Sequence, residues 1–85
     1  MRKRRYEVDG RLKLETGDIV KITPRGRKGI KKETGINLRP SDTFTVTKIQ
    51  YDISEKRFFA IVEAGEQKFW MPVSDLTFMR KGVRG

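Results

Sequence analysis

A chain of 85 residues with 20 Lys/Arg against 11 Asp/Glu, no histidine and no cysteine carries a net charge of +9. That composition excludes a disulfide framework, thiol or imidazole catalysis, and zinc sites of the usual ligand types. At this length one domain is expected, removing only roughly 60% of the unfolded surface from water, so the core is small and no cofactor is expected.

No stretch approaches the roughly 18 apolar residues of a membrane span, and the basic start is not followed by an apolar signal core. A cytoplasmic protein with no membrane partner is the expectation. The charge is unevenly distributed: residues 1–40 hold 13 Lys/Arg and 5 Asp/Glu, residues 41–78 hold 4 and 6, and residues 79–85 hold 3 and none. Positive charge therefore gathers in the first half and at the C-terminal end, where it can face a polyanion.

Arg2, Lys3, Arg4 and Arg5 form a basic arm too repulsive to pack, either a solubilising tail or a nucleic-acid contact. Tyr6 to Leu14 alternates around Asp9-Gly10 and predicts a small hairpin or flap. A two-residue turn would pair Val8 with Arg11, whereas a three-residue connection would pair Val8 with Leu12, and both registers stay open. Residues 1–15 are thus assigned to the arm and flap.

Thr16-Gly17 reads as a turn, and Asp18 to Thr23 as a first strand with Val20 and Ile22 inward, closed by Pro24. Between Pro24 and Pro40 lie three glycines, six basic residues and Glu33, with no helical or alternating apolar period. A long functional loop is predicted, pinned by Ile30, Ile36 and Leu38, with Arg25, Arg27, Lys28, Lys31 and Lys32 placed to reach phosphates.

Asp42 to Tyr51 alternates threonine with Phe44 and Val46, a half-buried strand. Asp52 to Lys56 is a break of hairpin-loop length, and Arg57 to Glu63 is apolar on both faces, predicting an interior strand. Phe58 and Phe59 are adjacent and must face opposite ways. Gly65-Glu66 makes the next turn, Lys68 to Met71 returns, Pro72 ends the pairing, Val73 to Leu76 gives a single 3₁₀-like turn, and Thr77 to Met79 closes the set. Trp70 either packs, its commoner use, or offers a stacking platform for an unpaired base. Arg80 to Arg84 reads as a frayed basic tail, which completes a division into residues 1–15, 16–79 and 80–85.

Five strands in so short a chain favour a small bent barrel. The segment FWMPVSDLTF is similar to the strand, corner and closing strand of the SH3-like barrel family, and DTFTVTKIQ to its second strand. Gly17-Asp18-Ile19-Val20-Lys21-Ile22, with Gly26, Lys28 and Gly29 beyond, resembles the opening of the KOW group of such barrels, found in ribosomal proteins and transcription factors. The resemblance spans roughly residues 17 to 79 and implies an all-β, five-stranded SH3-like barrel bearing a long basic loop after its first strand. The tyrosine-rich segment and paired tryptophans of peptide-binding SH3 domains are missing, so polyproline recognition is not expected.

Candidate catalytic groups are confined to hydroxyls and to carboxylates at turns, Asp42, Asp52, Glu55, Glu63, Glu66 and Asp75, which serve more often as turn formers than as acid–base pairs. Neither glycine-rich segment has the Gly-Lys-Ser/Thr spacing of a nucleotide loop. The expectation is a non-enzymatic protein binding DNA or RNA through Arg2, Lys3, Arg4, Arg5, Arg25, Arg27, Lys28, Lys31, Lys32 and Trp70, with no metal site. Neutralising about five or six phosphates would give a slope of log K against log salt of about −5 on duplex DNA. The alternative is an adaptor or inhibitor that docks an acidic protein surface with the same cations.

Overall fold

A computed structural model describes residues 7–8, 11–12 and 14–82, with side chains from Leu14 onward. A two-stranded ribbon, β1 (Glu7–Val8) and β2 (Arg11–Leu12), precedes β3 (Ile19–Ile22), helix α1 (Pro24–Thr34), β4 (Thr43–Asp52), β5 (Arg57–Ala64) and β6 (Gln67–Pro72). A 3₁₀ turn at Val73–Asp75 then leads into β7 (Leu76–Arg80). The ribbon pairs Val8 with Arg11 and Glu7 with Leu12, the register that a two-residue connection sets. The arm residues Arg2, Lys3, Arg4 and Arg5 lie outside the described residues.

The other five strands make one antiparallel sheet in the order β6-β5-β4-β3-β7. Alternation decides which side chains enter the core. Val20 and Ile22 from β3, Phe44 and Val46 from β4, Ala60 and Val62 from β5, Met71 from β6 and Leu76 from β7 all point to one face and are buried there. Phe69 joins them, its ring edge-on to Phe44 at 5.8 Å between centroids, a favoured aromatic arrangement. Interior β5 lies between β4 and β6, and on its other face Phe59 stacks on Trp70 of the neighbouring strand.

Two features overturn the expected barrel. The sheet is open: β6 and β7 are its two edges and do not pair with each other. Residues 24–34, expected as a loop, form an α-helix. The fold is therefore mixed, an open antiparallel sheet with one helix, and neither all-β nor a closed SH3-like or KOW-like barrel.

The physical reason is the seat of the helix. An added Cβ at buried Gly26 would meet Ile22 of β3, Met71 of β6 and Asp75 just before β7. Helix backbone thus occupies the side on which β6 and β7 would have to meet, and Ile30, Ile36 and Leu38 extend that cover over the core. Apolar burial that a barrel would obtain by closing its own edges is obtained here by capping an open sheet.

The β4–β5 ladder is irregular at one point. Register shifts between Val46 and Lys48, so Thr47 is the extra residue of a bulge, and its hydroxyl donates to Glu63 Oε2 at 2.9 Å. The β4–β5 hairpin closes on Asp52, whose Oδ1 accepts from Ser54 N at 2.9 Å, Ser54 Oγ at 2.7 Å and Glu55 N at 3.1 Å. These bonds hold the Asp52 carboxyl below its ordinary value, the Ser54 hydroxyl contributing most. At the other end, Asp18 is buried and accepts the Glu15 amide at 2.9 Å. Lys81 reaches both Glu15 and Asp18, so Arg80 and Lys81 continue the fold rather than fraying from it.

Candidate functional site

Local signals make α1 a bounded helix. Thr23 is its N-cap, with Oγ1 accepting from Gly26 N at 3.1 Å, and Pro24 opens the first turn, where a missing N–H costs nothing. Gly35 ends it in the left-handed region at φ 79°, its N–H donating to Lys31 O at 2.8 Å. Lys31 and Lys32 in the last turn complement the negative end of the helix dipole.

At roughly 100° of rotation per residue, Gly26 and Ile30 share the stripe that faces the sheet, and Lys28, Lys31 and Lys32 fall on the opposite side. All three lysines are exposed. None has an acidic partner among the described residues. The remaining two expected cations are engaged by the protein itself: Arg27 is half-buried and donates to Ile22 O at 2.8 Å, and Arg25 donates from Nε to Asp75 Oδ1 at 3.0 Å. Of the five basic residues expected to reach phosphates from this segment, three are exposed without an acidic partner among the described residues and two make bonds within the protein, Arg25 with its side chain still 75% exposed.

Trp70 is not brought to that surface. Met71, its neighbour, points at Gly26, so Trp70 points to the other face of β6. There it is 49% exposed and its indole stacks on the Phe59 ring at 5.5 Å and 5° between planes. The Arg57 guanidinium carbon lies 5.2 Å from the Phe59 centroid, within cation–π range. The register Phe59↔Pro72 and Ile61↔Trp70 puts Phe59 between Arg57 and Trp70 along β5. Lys48 opposes Ile61, and Ile61 opposes Trp70, so these three form one cross-strand row. Arg57, Phe59 and Lys48 were not among the residues expected to contact nucleic acid, although one of Phe58 and Phe59 was a candidate anchor for an acidic protein partner. Their signal was the alternation of β5 read together with its pairing partners, and strand pairing is not visible in a single segment.

Phe58 turns the other way and packs edge-on to Tyr51 at 5.0 Å, while Ile53 at the hairpin end is 81% exposed. Most of the carboxylates considered for catalysis make hydrogen bonds within the fold. Asp42 accepts the Arg39 amide at 2.8 Å, Asp52 caps its own turn, Glu63 receives Thr47, and Asp75 holds Arg25. Among the described residues no group of three or more His, Cys, Asp or Glu side chains is arranged to hold a metal ion, and no helix is long and apolar enough to cross a membrane. No family model, no curated protein and no solved structure matches the chain.

Proposed function

We propose that this is a non-enzymatic nucleic-acid-binding protein that contacts backbone phosphates through the outer face of α1, with the basic arm Arg2, Lys3, Arg4 and Arg5 adding to the same electrostatic attraction. The observation that carries the proposal is the row Lys28, Lys31 and Lys32, exposed on one helix face and ion-paired to no acid among the described residues, with Glu33 the one acid on the helix. A helix holds these charges at fixed spacing, and residues three and four apart lie side by side on its surface. Each phosphate neutralised releases condensed counterions, which favours binding without reading sequence. Arg25 and Arg27 contribute by anchoring the helix, so their share in phosphate contact is smaller than their charge suggests.

The test is the salt dependence of binding to a nucleic acid, compared between the native chain and a Lys28→Gln/Lys31→Gln/Lys32→Gln variant. Three lost phosphate contacts should flatten the slope of log K against log salt by about 2.7 on duplex DNA, and by less on a single strand. A native slope near zero, or a variant with unaltered slope and affinity, overturns the proposal. Capture of one protein that survives high salt and nuclease treatment would point instead to an acidic protein partner for the same lysines.

A further inference from the structure

The open face of the sheet, opposite α1, bears Trp70, one of the two aromatic residues that are about half exposed among the described residues. Phe59 stacks on the Trp70 indole, and Trp70 still keeps 49% of its surface exposed. We infer that this surface is a base-stacking site, and that the nucleic acid bound is therefore single-stranded or locally unpaired. The inference rests on the phosphate-binding reading given above and adds to it the class of strand and the place where its base sits.

Three observations converge on that occupant. The rings of Phe59 and Trp70 are parallel within 5° and are backed by the Arg57 guanidinium, a flat ladder of the kind on which an unpaired base adds one more layer. Cations share the face: strand register places Lys21, Lys48, Arg57 and Lys68 there, against Asp52 and Glu63. Asp52 is committed to its turn, Arg57 also lies 3.4 Å from Glu55, and Lys68 is 4.0 Å from Glu63. Lys48 is exposed with no acidic partner among the described residues, two strands from Trp70 and hence roughly 10 Å away, within reach of the phosphate of a base stacked between them. Finally, a second copy of this chain would bring another +9 against this one, whereas a polyanion is attracted by it. Bases inside a duplex already stack on one another and offer no free face to Trp70.

Trp70 is the only tryptophan, so its emission reports on this site alone. Titration with a short thymidine homopolymer, an abasic strand of equal length and a duplex separates the terms. The homopolymer should quench Trp70 emission while the abasic strand, with the same phosphates and no bases, should not. Trp70→Ala should weaken homopolymer binding by about 5- to 150-fold, the range for one stacked base, and leave duplex binding unchanged. Since half of the side chain is already in water, its removal should leave far-UV circular dichroism unaltered. Homopolymer binding with the expected salt slope, but with no quenching and no loss in the variant, sinks the stacking site and leaves phosphate binding standing. Failure of all three ligands to bind at low salt sinks both.

Discussion

Replacing Gly26 by alanine tests the seat of the helix on the sheet, and Gly29→Ala on the same helix supplies the control. A Cβ at Gly26 would lie 2.7 Å from Ile22 Cγ2, 3.0 Å from Met71 Cε and 3.1 Å from Asp75 Cβ. Met71 can swing its terminal methyl aside, but Ile22 is β-branched and almost fully buried, and the Asp75 Cβ is fixed to its backbone. Helix and sheet must separate slightly, an overpacking cost of about 1–3 kcal/mol. Against this stands the helical preference of alanine over glycine, about 1 kcal/mol. Net destabilisation of about 0–2 kcal/mol is expected. At Gly29 nothing lies within 4 Å of an added Cβ, so the same substitution should stabilise by about 1 kcal/mol. Subtracting the two removes the propensity difference and leaves the packing cost. Urea unfolding with linear extrapolation measures both, and for a domain of this size each kcal/mol is about 4–8 °C in Tm. Variants that shift together, within about 0.5 kcal/mol, would mean that α1 does not rest on Ile22 through Gly26.

Removing the buried acceptor in Asp18→Ala, which receives the Glu15 amide at 2.9 Å, should destabilise by about 1–3 kcal/mol in urea; an unchanged midpoint would refute a structural role. The Asp52 carboxyl should titrate by NMR below 3.8 and move up in Ser54→Ala, since the Ser54 hydroxyl is the largest cause of its depression. Because its folded value is lowered, the stabilisation it gives is complete above its unfolded value and is lost as pH falls through the folded one; a carboxyl titrating at or above 3.8 would contradict the turn geometry. Arg25→Gln breaks an ion pair whose arginine side chain is 75% exposed, so stability should fall by no more than about 1 kcal/mol. The same variant should reduce the salt slope less than Lys28→Gln does, and an equal reduction would show that Asp75 does not hold Arg25 away from phosphate.

Strand positions and inward residues were legible because threonine and apolar residues alternate in β4, and because Val20 and Ile22 sit two apart between a glycine turn and a proline. Helix α1 was not, and the cause is specific. Its sheet-facing stripe is Gly26 and Ile30, and a glycine that permits close approach leaves no apolar mark in the sequence. The caps were nonetheless present: Thr23-Pro24 at one end, Gly35 at the other and two lysines in the last turn. Those signals outweigh a missing period when the buried stripe is two residues wide. Closure of the sheet was illegible for a related reason, since strand number and order are shared by open and closed arrangements and the difference lies in what covers the core. Among the candidate site residues, charge pointed alike to Arg25, Arg27, Lys28, Lys31 and Lys32, while the bonds of Arg25 to Asp75 and of Arg27 to the Ile22 carbonyl depended on residues remote in sequence or on backbone geometry.

The distribution of charge follows from how the core is covered. Residues 41–78 supply β4 to the start of β7 and hold 4 basic residues against 6 acidic, so the sheet closes its turns and ion pairs largely with its own acids. Helix α1 buries little more than a glycine and an isoleucine, which leaves most of its circumference free of any packing demand. Lysine is a good helix former and keeps its ammonium in water, so a helix needing so narrow an inner stripe can carry three neighbouring cations with little cost to the fold. The aromatic ladder has the converse origin: β5 is apolar on both faces, only one of them is covered by α1, and Phe59 and Ile61 must shelter against Trp70. One core, covered from one side, thus produces a cationic face and an aromatic face on opposite sides of the sheet. A strand using both would have to pass around an edge of that sheet, and β6 is one such edge, carrying Trp70 on one face and Met71 against the helix on the other.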